Sequence, residues 1–84
     1  MLVSTKLYVG NLPYTLKNTE LLETFKTHGN VLSAKIVTDK ESGKSKGFGF
    51  VEMENDHEAT SAIKALNGAE IKGRKLVVAA ARAN

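Results

Sequence analysis

The sequence predicts an α+β fold, with four strands and two helices in the order β-α-β-β-α-β. Three observations lead there. Two segments place their inward residues at i, i+3, i+4, i+7, the stripe of a helix with 3.6 residues per turn. Four others alternate residue by residue, as strands with one covered face do. Gly, Pro, Asn and charged residues separate them, and no linker, low-complexity tract or clear tandem repeat interrupts the 84 residues.

The first strand is residues 6–9, where Leu7 and Val9 alternate with Lys6 and Tyr8. Gly10-Asn11-Leu12-Pro13 ends it. The first helix carries Leu21, Thr24, Phe25 and His28 on one stripe. Its start lies at Asn18, a chemically good cap, or one residue earlier, and Gly29 in the left-handed conformation is expected to close it. Residues 31–38 form the second strand, with Ala34 and Ile36 on one side and Lys35 and Val37 on the other. The polar run 39–45 reads as a solvated hairpin loop, and residues 46–53 are the third strand. Asn55 followed by Glu58 has capping-box-like spacing, and Ala59, Ala62, Ile63 and Leu66 give the second helix, 56–66, its stripe. Asn67-Gly68 terminates that helix, a short turn runs through Gly73, and residues 76–81 are the last strand. Two helices interleaved with strands favour a ferredoxin-like sandwich, a four-stranded antiparallel sheet with both helices on one face. The other face is left open to water.

Which residues look outward is decided in the third strand. Gly49, Val51 and Met53 share one side; Phe48, Phe50 and Glu52 share the other. Periodicity alone permits either side to be the core. An ionised carboxylate is almost never buried unpaired, so Glu52 draws Phe48 and Phe50 to the open face. Gly49 then becomes a core-side position where a helix packs close. In the first strand, Leu7 and Val9 make the better core pair and leave Tyr8 outside. The open face therefore carries Tyr8, Phe48 and Phe50, flanked by Lys6, Lys35 and Lys46. Contiguous exposed apolar patches mark binding sites. Rings on which bases stack, among ammonium groups that neutralise phosphates, are what a single-stranded nucleic acid requires.

Composition narrows the alternatives. With no cysteine, neither a disulfide framework nor a thiolate metal site is possible. No apolar run approaches membrane-spanning length, and residues 1–5 are too short for a signal peptide. The expected setting is cytoplasmic, or organellar or nuclear in a eukaryote, rather than secreted. The net charge of +3, from 12 Lys and Arg against 9 Asp and Glu, is mild and decides nothing alone.

Lys46-Gly47-Phe48-Gly49-Phe50-Val51-Glu52-Met53 matches K/R-G-F/Y-G/A-F-V-x-F/Y at every specified position but the last. With Leu7-Tyr8-Val9-Gly10-Asn11-Leu12 about 40 residues before it, the chain closely resembles the RNA recognition motif family. The resemblance spans roughly residues 6–81 and includes Phe25, Ala59, Ala62-Ile63, Leu66-Asn67-Gly68 and Gly73-Arg74. It implies one domain over residues 1–84, with short tails at 1–5 and 82–84. It also implies a monomer that binds single-stranded RNA in a post-transcriptional role such as RNA stability, processing or translation control. Met53 departs from the family's aromatic, but its side of the strand is the core side, where methionine fills space.

Carried onto this chain, the resemblance has Tyr8 and Phe48 or Phe50 stacking on bases and Lys46 pairing with a phosphate. Asn11, just past the strand, reads better as a turn-stabilising residue than as a base reader. Glu52 has two readings: it accepts hydrogen bonds from a base amino group, or it pairs with Lys35 across the sheet. Lys44, and more weakly Lys40, stand where they could clamp the strand of RNA. Arg82 follows the last strand, either crossing the RNA face or belonging to a frayed end. Val77 and Ala79 are expected to share the open face.

Catalytic patterns fail on inspection. Gly43-Lys44-Ser45 looks like the end of a phosphate-binding loop, but Thr38 stands where its first glycine belongs. His57-Glu58 lacks the second histidine of a zinc helix, and His28 reads as a packing residue. No nucleophile, base and orienting group assemble, so neither an enzyme nor a cofactor is expected. Two rivals remain: single-stranded DNA as ligand, and a protein-interaction module on the same fold, which the retained aromatics argue against.

Overall fold

The alternating segments and helical stripes become, in a computed structural model that describes residues 5–81, a sheet with two helices on one face. The elements are β1 (Lys6–Gly10), α1 (Asn18–Lys26), β2 (Val31–Thr38), β3 (Ser45–Met53) and α2 (Asp56–Leu66). Three short strands follow: β4 (Glu70–Ile71), β5 (Arg74–Lys75) and β6 (Val77–Ala80). The main sheet has the order β2-β3-β1-β6, antiparallel throughout. The two strands at its centre, β1 and β3, are those with the richest alternation. Leu7 stands opposite Ala80, and the Ala81 N–H donates to the Lys6 carbonyl at 2.8 Å.

The covered face is built as the alternation requires. Leu7 and Val9 of β1, Val51 and Met53 of β3 and Val78 of β6 pack with Leu21 and Phe25 of α1 and Ala59, Ala62 and Leu66 of α2. Met53 is fully buried, as its side of the strand predicts. Among the described residues no polar or charged residue is buried, so the side chains of the core meet through apolar contact.

Several local features differ from expectation. Helix α1 starts at Asn18, with Lys17 as its N-cap. The Lys17 N–H donates to the Glu20 carboxylate at 2.8 Å, while Asn18 Oδ1 accepts the Ile36 N–H at 2.8 Å and so ties α1 to β2. Gly29 has φ +152°, far from the left-handed helical value, because the chain extends directly into β2. Asn55 caps α2 through Glu58 N–H at 2.9 Å, but the Glu58 carboxylate turns to the Asn30 N–H instead of completing a box. The turn before the last strand is itself a hairpin. β4 pairs with β5 around Lys72 and Gly73, whose φ values of 50° and 85° suit a type I′ turn. Leu76, buried, separates this hairpin from β6. Gly49 is buried, yet what approaches it is strand and not helix. A Cβ there would lie 2.5 Å from the Lys35 carbonyl oxygen and 2.9 Å from Ile36 Cα. The register of β2 against β3 shifts between Ile36 and Thr38, directly beyond the Ile36–Gly49 pair.

Candidate nucleic-acid interface

Register places the open-face residues in rows. Lys35 of β2 stands opposite Phe50 of β3, Phe50 opposite Tyr8 of β1, and Tyr8 opposite Ala79 of β6. One row therefore crosses all four strands. The next row along runs Ser33, Glu52, Lys6. On the other side Gly10 lies opposite Val77, which is 49% exposed, and Phe48 sits two residues before Phe50.

The three rings form a near-equilateral cluster. Centroids are 5.9 Å apart for Tyr8–Phe48, 6.1 Å for Tyr8–Phe50 and 6.2 Å for Phe48–Phe50. The last two pairs meet edge to face, at 66° and 89°, the arrangement favoured by ring quadrupoles. Gly10 has a packing reason to lack a side chain, since a Cβ there would fall 2.5–2.9 Å from the tip of the Tyr8 ring. Tyr8 thus lies down over Gly10 toward Phe48. All three rings are half-buried, each shielding the others while keeping surface free.

Charge surrounds them. Lys6 Nζ stands 5.1 Å from the Phe50 centroid, within cation–π range. Lys35 and Glu52 are both exposed. The pairing expected between those two is not formed: they are diagonal rather than opposite, and no ion pair joins them among the described residues. Lys46 departs from simple alternation. Gly47, at φ +85°, occupies a backbone region that L side chains rarely adopt, and it breaks the count between Lys46 and Phe48. Lys46 lines an open depression with Tyr14, Gly43, Lys44 and Ser45, at the end of the sheet beside the rings. The loop bearing Lys44 folds on itself, with Asp39 N–H donating to the Lys44 carbonyl at 2.8 Å and Asp39 Oδ1 accepting Glu41 N–H at 2.8 Å. Arg82 lies outside the described residues.

Asn11 behaves as a turn residue. It holds φ 58°, its Nδ2 donates to the Lys75 carbonyl at 2.7 Å, and its Oδ1 accepts Arg74 Nη2 at 2.8 Å. The β4–β5 hairpin is thereby fastened to the end of β1.

The match to known proteins agrees with this geometry. The model of the RNA recognition motif covers residues 7–77. The chain belongs to the RNA recognition motif family. Among its relatives is a Synechocystis sp. protein named RbpA, 49% identical over 72 residues, which are 86% of this chain and 71% of that protein. The chloroplastic RNA-binding protein CP31B of Arabidopsis thaliana is 45% identical over 87% of this chain. The chain spans only 25% of the length of CP31B. A solved Sxl-lethal protein–RNA complex superposes with a TM-score of 0.92 at 32% identity, covering 98% of this chain and 49% of that one.

Sequence reasoning misses Tyr14, and it finds Arg74 only as part of the family resemblance, not as a neighbour of that ring. The Arg74 guanidinium carbon lies 5.7 Å from the Tyr14 ring centroid. The signal is an aromatic on neither a strand alternation nor a helical stripe, immediately after the strand-ending Pro13.

Proposed function

We propose that this chain binds single-stranded RNA along the open face of its sheet, in a post-transcriptional role such as RNA stability, processing or translation control. The observation that carries this is the row Lys35, Phe50, Tyr8, Ala79 across four strands, with Phe48 completing the ring cluster. Tyr8, Phe48 and Phe50 stack on bases; Lys6, Lys35, Lys44 and Lys46 meet phosphates. Glu52, not paired with Lys35, accepts from a base amino group. This is a binding role on residues of about 6–81, with no catalytic step in it. The chloroplastic and cyanobacterial relatives support an organellar or cytoplasmic setting.

The test is titration of short labelled RNAs, with matched DNA beside them, against a Phe48→Ala, Phe50→Ala double variant. Each lost stacking partner costs about 1–3 kcal/mol, so affinity for RNA should fall by about 30-fold or more. A folded variant that binds as tightly as the parent overturns the proposal. Equal binding of DNA and RNA makes the ligand single-stranded nucleic acid in general.

A further inference from the structure

Tyr14 is 66% exposed, whereas the three rings on the sheet are half-buried. Its position is nevertheless fixed. Leu12 and Pro13 before it are buried, the Leu12 N–H donates to the Gly47 carbonyl at 2.8 Å, and the Leu16 N–H donates to the Pro13 carbonyl at 3.1 Å. The ring edge comes within 3.1 Å of where a Cβ on Gly47 would stand. Arg74 faces it at 5.7 Å and is itself held by two hydrogen bonds to Asn11 Oδ1, at 2.8 and 3.3 Å. Lys44 and Lys46 line the same depression, and among the described residues no acidic one does. An exposed ring held in place among three cations repeats, in loop residues, the chemistry of the sheet platform. It is also continuous with that platform, because Gly47 under the ring directly precedes Phe48.

We propose that Tyr14 is a fourth stacking residue, which takes one base of the same single strand after it leaves the sheet. Arg74, Lys44 and Lys46 are placed to meet that nucleotide's phosphate. This rests on the RNA-binding role proposed above. A peptide ligand is disfavoured because the charged residues around this single ring, Lys44, Lys46 and Arg74, are all cations.

Two random-sequence RNA pools separate the possibilities: one of about three nucleotides, the number the sheet rings stack, and one of about eight. Tyr14→Ala should weaken binding of the longer pool about fivefold or more and leave the shorter unchanged. Tyr14→Phe should retain parental affinity for both. In the unmodified protein, the Tyr14 ring resonances should shift with the longer pool only, a readout that does not depend on any variant folding. Parental affinity of Tyr14→Ala for the longer pool, an equal loss on both pools, or unmoved Tyr14 resonances overturns the proposal while leaving the sheet platform standing. If the unmodified protein binds neither pool, RNA binding itself falls, and this inference with it.

Discussion

Replacing Gly49 with alanine adds a single methyl carbon where β3 has no room for it. That carbon would sit 2.5 Å from the Lys35 carbonyl oxygen, 2.9 Å from Ile36 Cα and 3.2 Å from the Lys35 carbonyl carbon. Ordinary van der Waals contact begins near 3.4 Å, so the closest approach is 0.9 Å too short. Every one of these neighbours is backbone. A side chain could swing aside; β2 cannot, since it is laddered to β3 and its Ile36 N–H is held by Asn18. Overpacking costs about 1–3 kcal/mol, and a rigid neighbour places Gly49→Ala at the upper end. In a domain of this size about 3 kcal/mol lowers the melting temperature by about 12–24 °C. It should also lower the urea midpoint by about 1–3 M. Far-ultraviolet circular dichroism follows both transitions, as the chain has no tryptophan. Ser33→Ala, on the open face of the neighbouring strand, is the control and should change little. A Gly49→Ala midpoint equal to the parent's would refute the packing argument. It would mean that Gly49 has space, and so would reopen the question of which side of β3 faces the core.

Three further outcomes are expected. Asn11→Ala should cost more stability than Asn11→Gly, about 2–3 against about 1 kcal/mol by urea denaturation, because both lose the bonds to Lys75 and Arg74 but only alanine is strained at φ 58°. The Lys17 N–H, and then the Lys72 ammonium, hold the exposed Glu20 carboxyl below its ordinary pKa. Its contribution is therefore present above the unfolded-state pKa and is lost as pH falls through the folded one. Urea midpoints of the parent and Glu20→Gln should differ near neutral pH and converge on the acid side of the ordinary glutamate range. Lys35→Gln should reduce the dependence of log affinity for RNA on log salt by about 0.7, the release of one counterion, measured by titration across ionic strengths.

Much of this arrangement could be read from residue order, because faces are set by side chains that tolerate only one environment. Glu52 turned Phe48 and Phe50 outward, and the structure keeps Glu52 exposed with Val51 and Met53 fully buried. Strand existence followed from alternation for β1, β2 and β3. What alternation cannot carry is a break in its own count. Gly47 at φ +85° interrupts the count between Lys46 and Phe48. Strand β3 spends four residues against two of β2 between the Gly49–Ile36 and Ser45–Thr38 pairs, and backbone rather than a helix lies against Gly49. Backbone irregularities of this kind have no hydrophobic signature. The β4–β5 hairpin hid for a different reason: two-residue strands are too short to alternate, and only the Lys72-Gly73 pair hinted at a tight turn. At α1, Asn18 was chemically fit to cap but is engaged by β2, a tertiary partner that local sequence does not reveal. Tyr14 and Arg74 are 60 residues apart in sequence and meet only because Asn11 fastens the hairpin to the end of β1.

The adjacency of β1 and β6 has a mechanical consequence. Leu7 faces Ala80 and the Ala81 N–H closes on the Lys6 carbonyl, so the chain enters and leaves this fold side by side. Tension applied between those two points does not slide the strands along each other, which would load all their hydrogen bonds together. It peels them apart across the ladder, so that each bond meets the force in turn. A fold gripped at both ends in this way opens from one sheet edge at low load, beginning with β6. The Tyr8 row then loses its outer strand, and Val78 leaves the core with it.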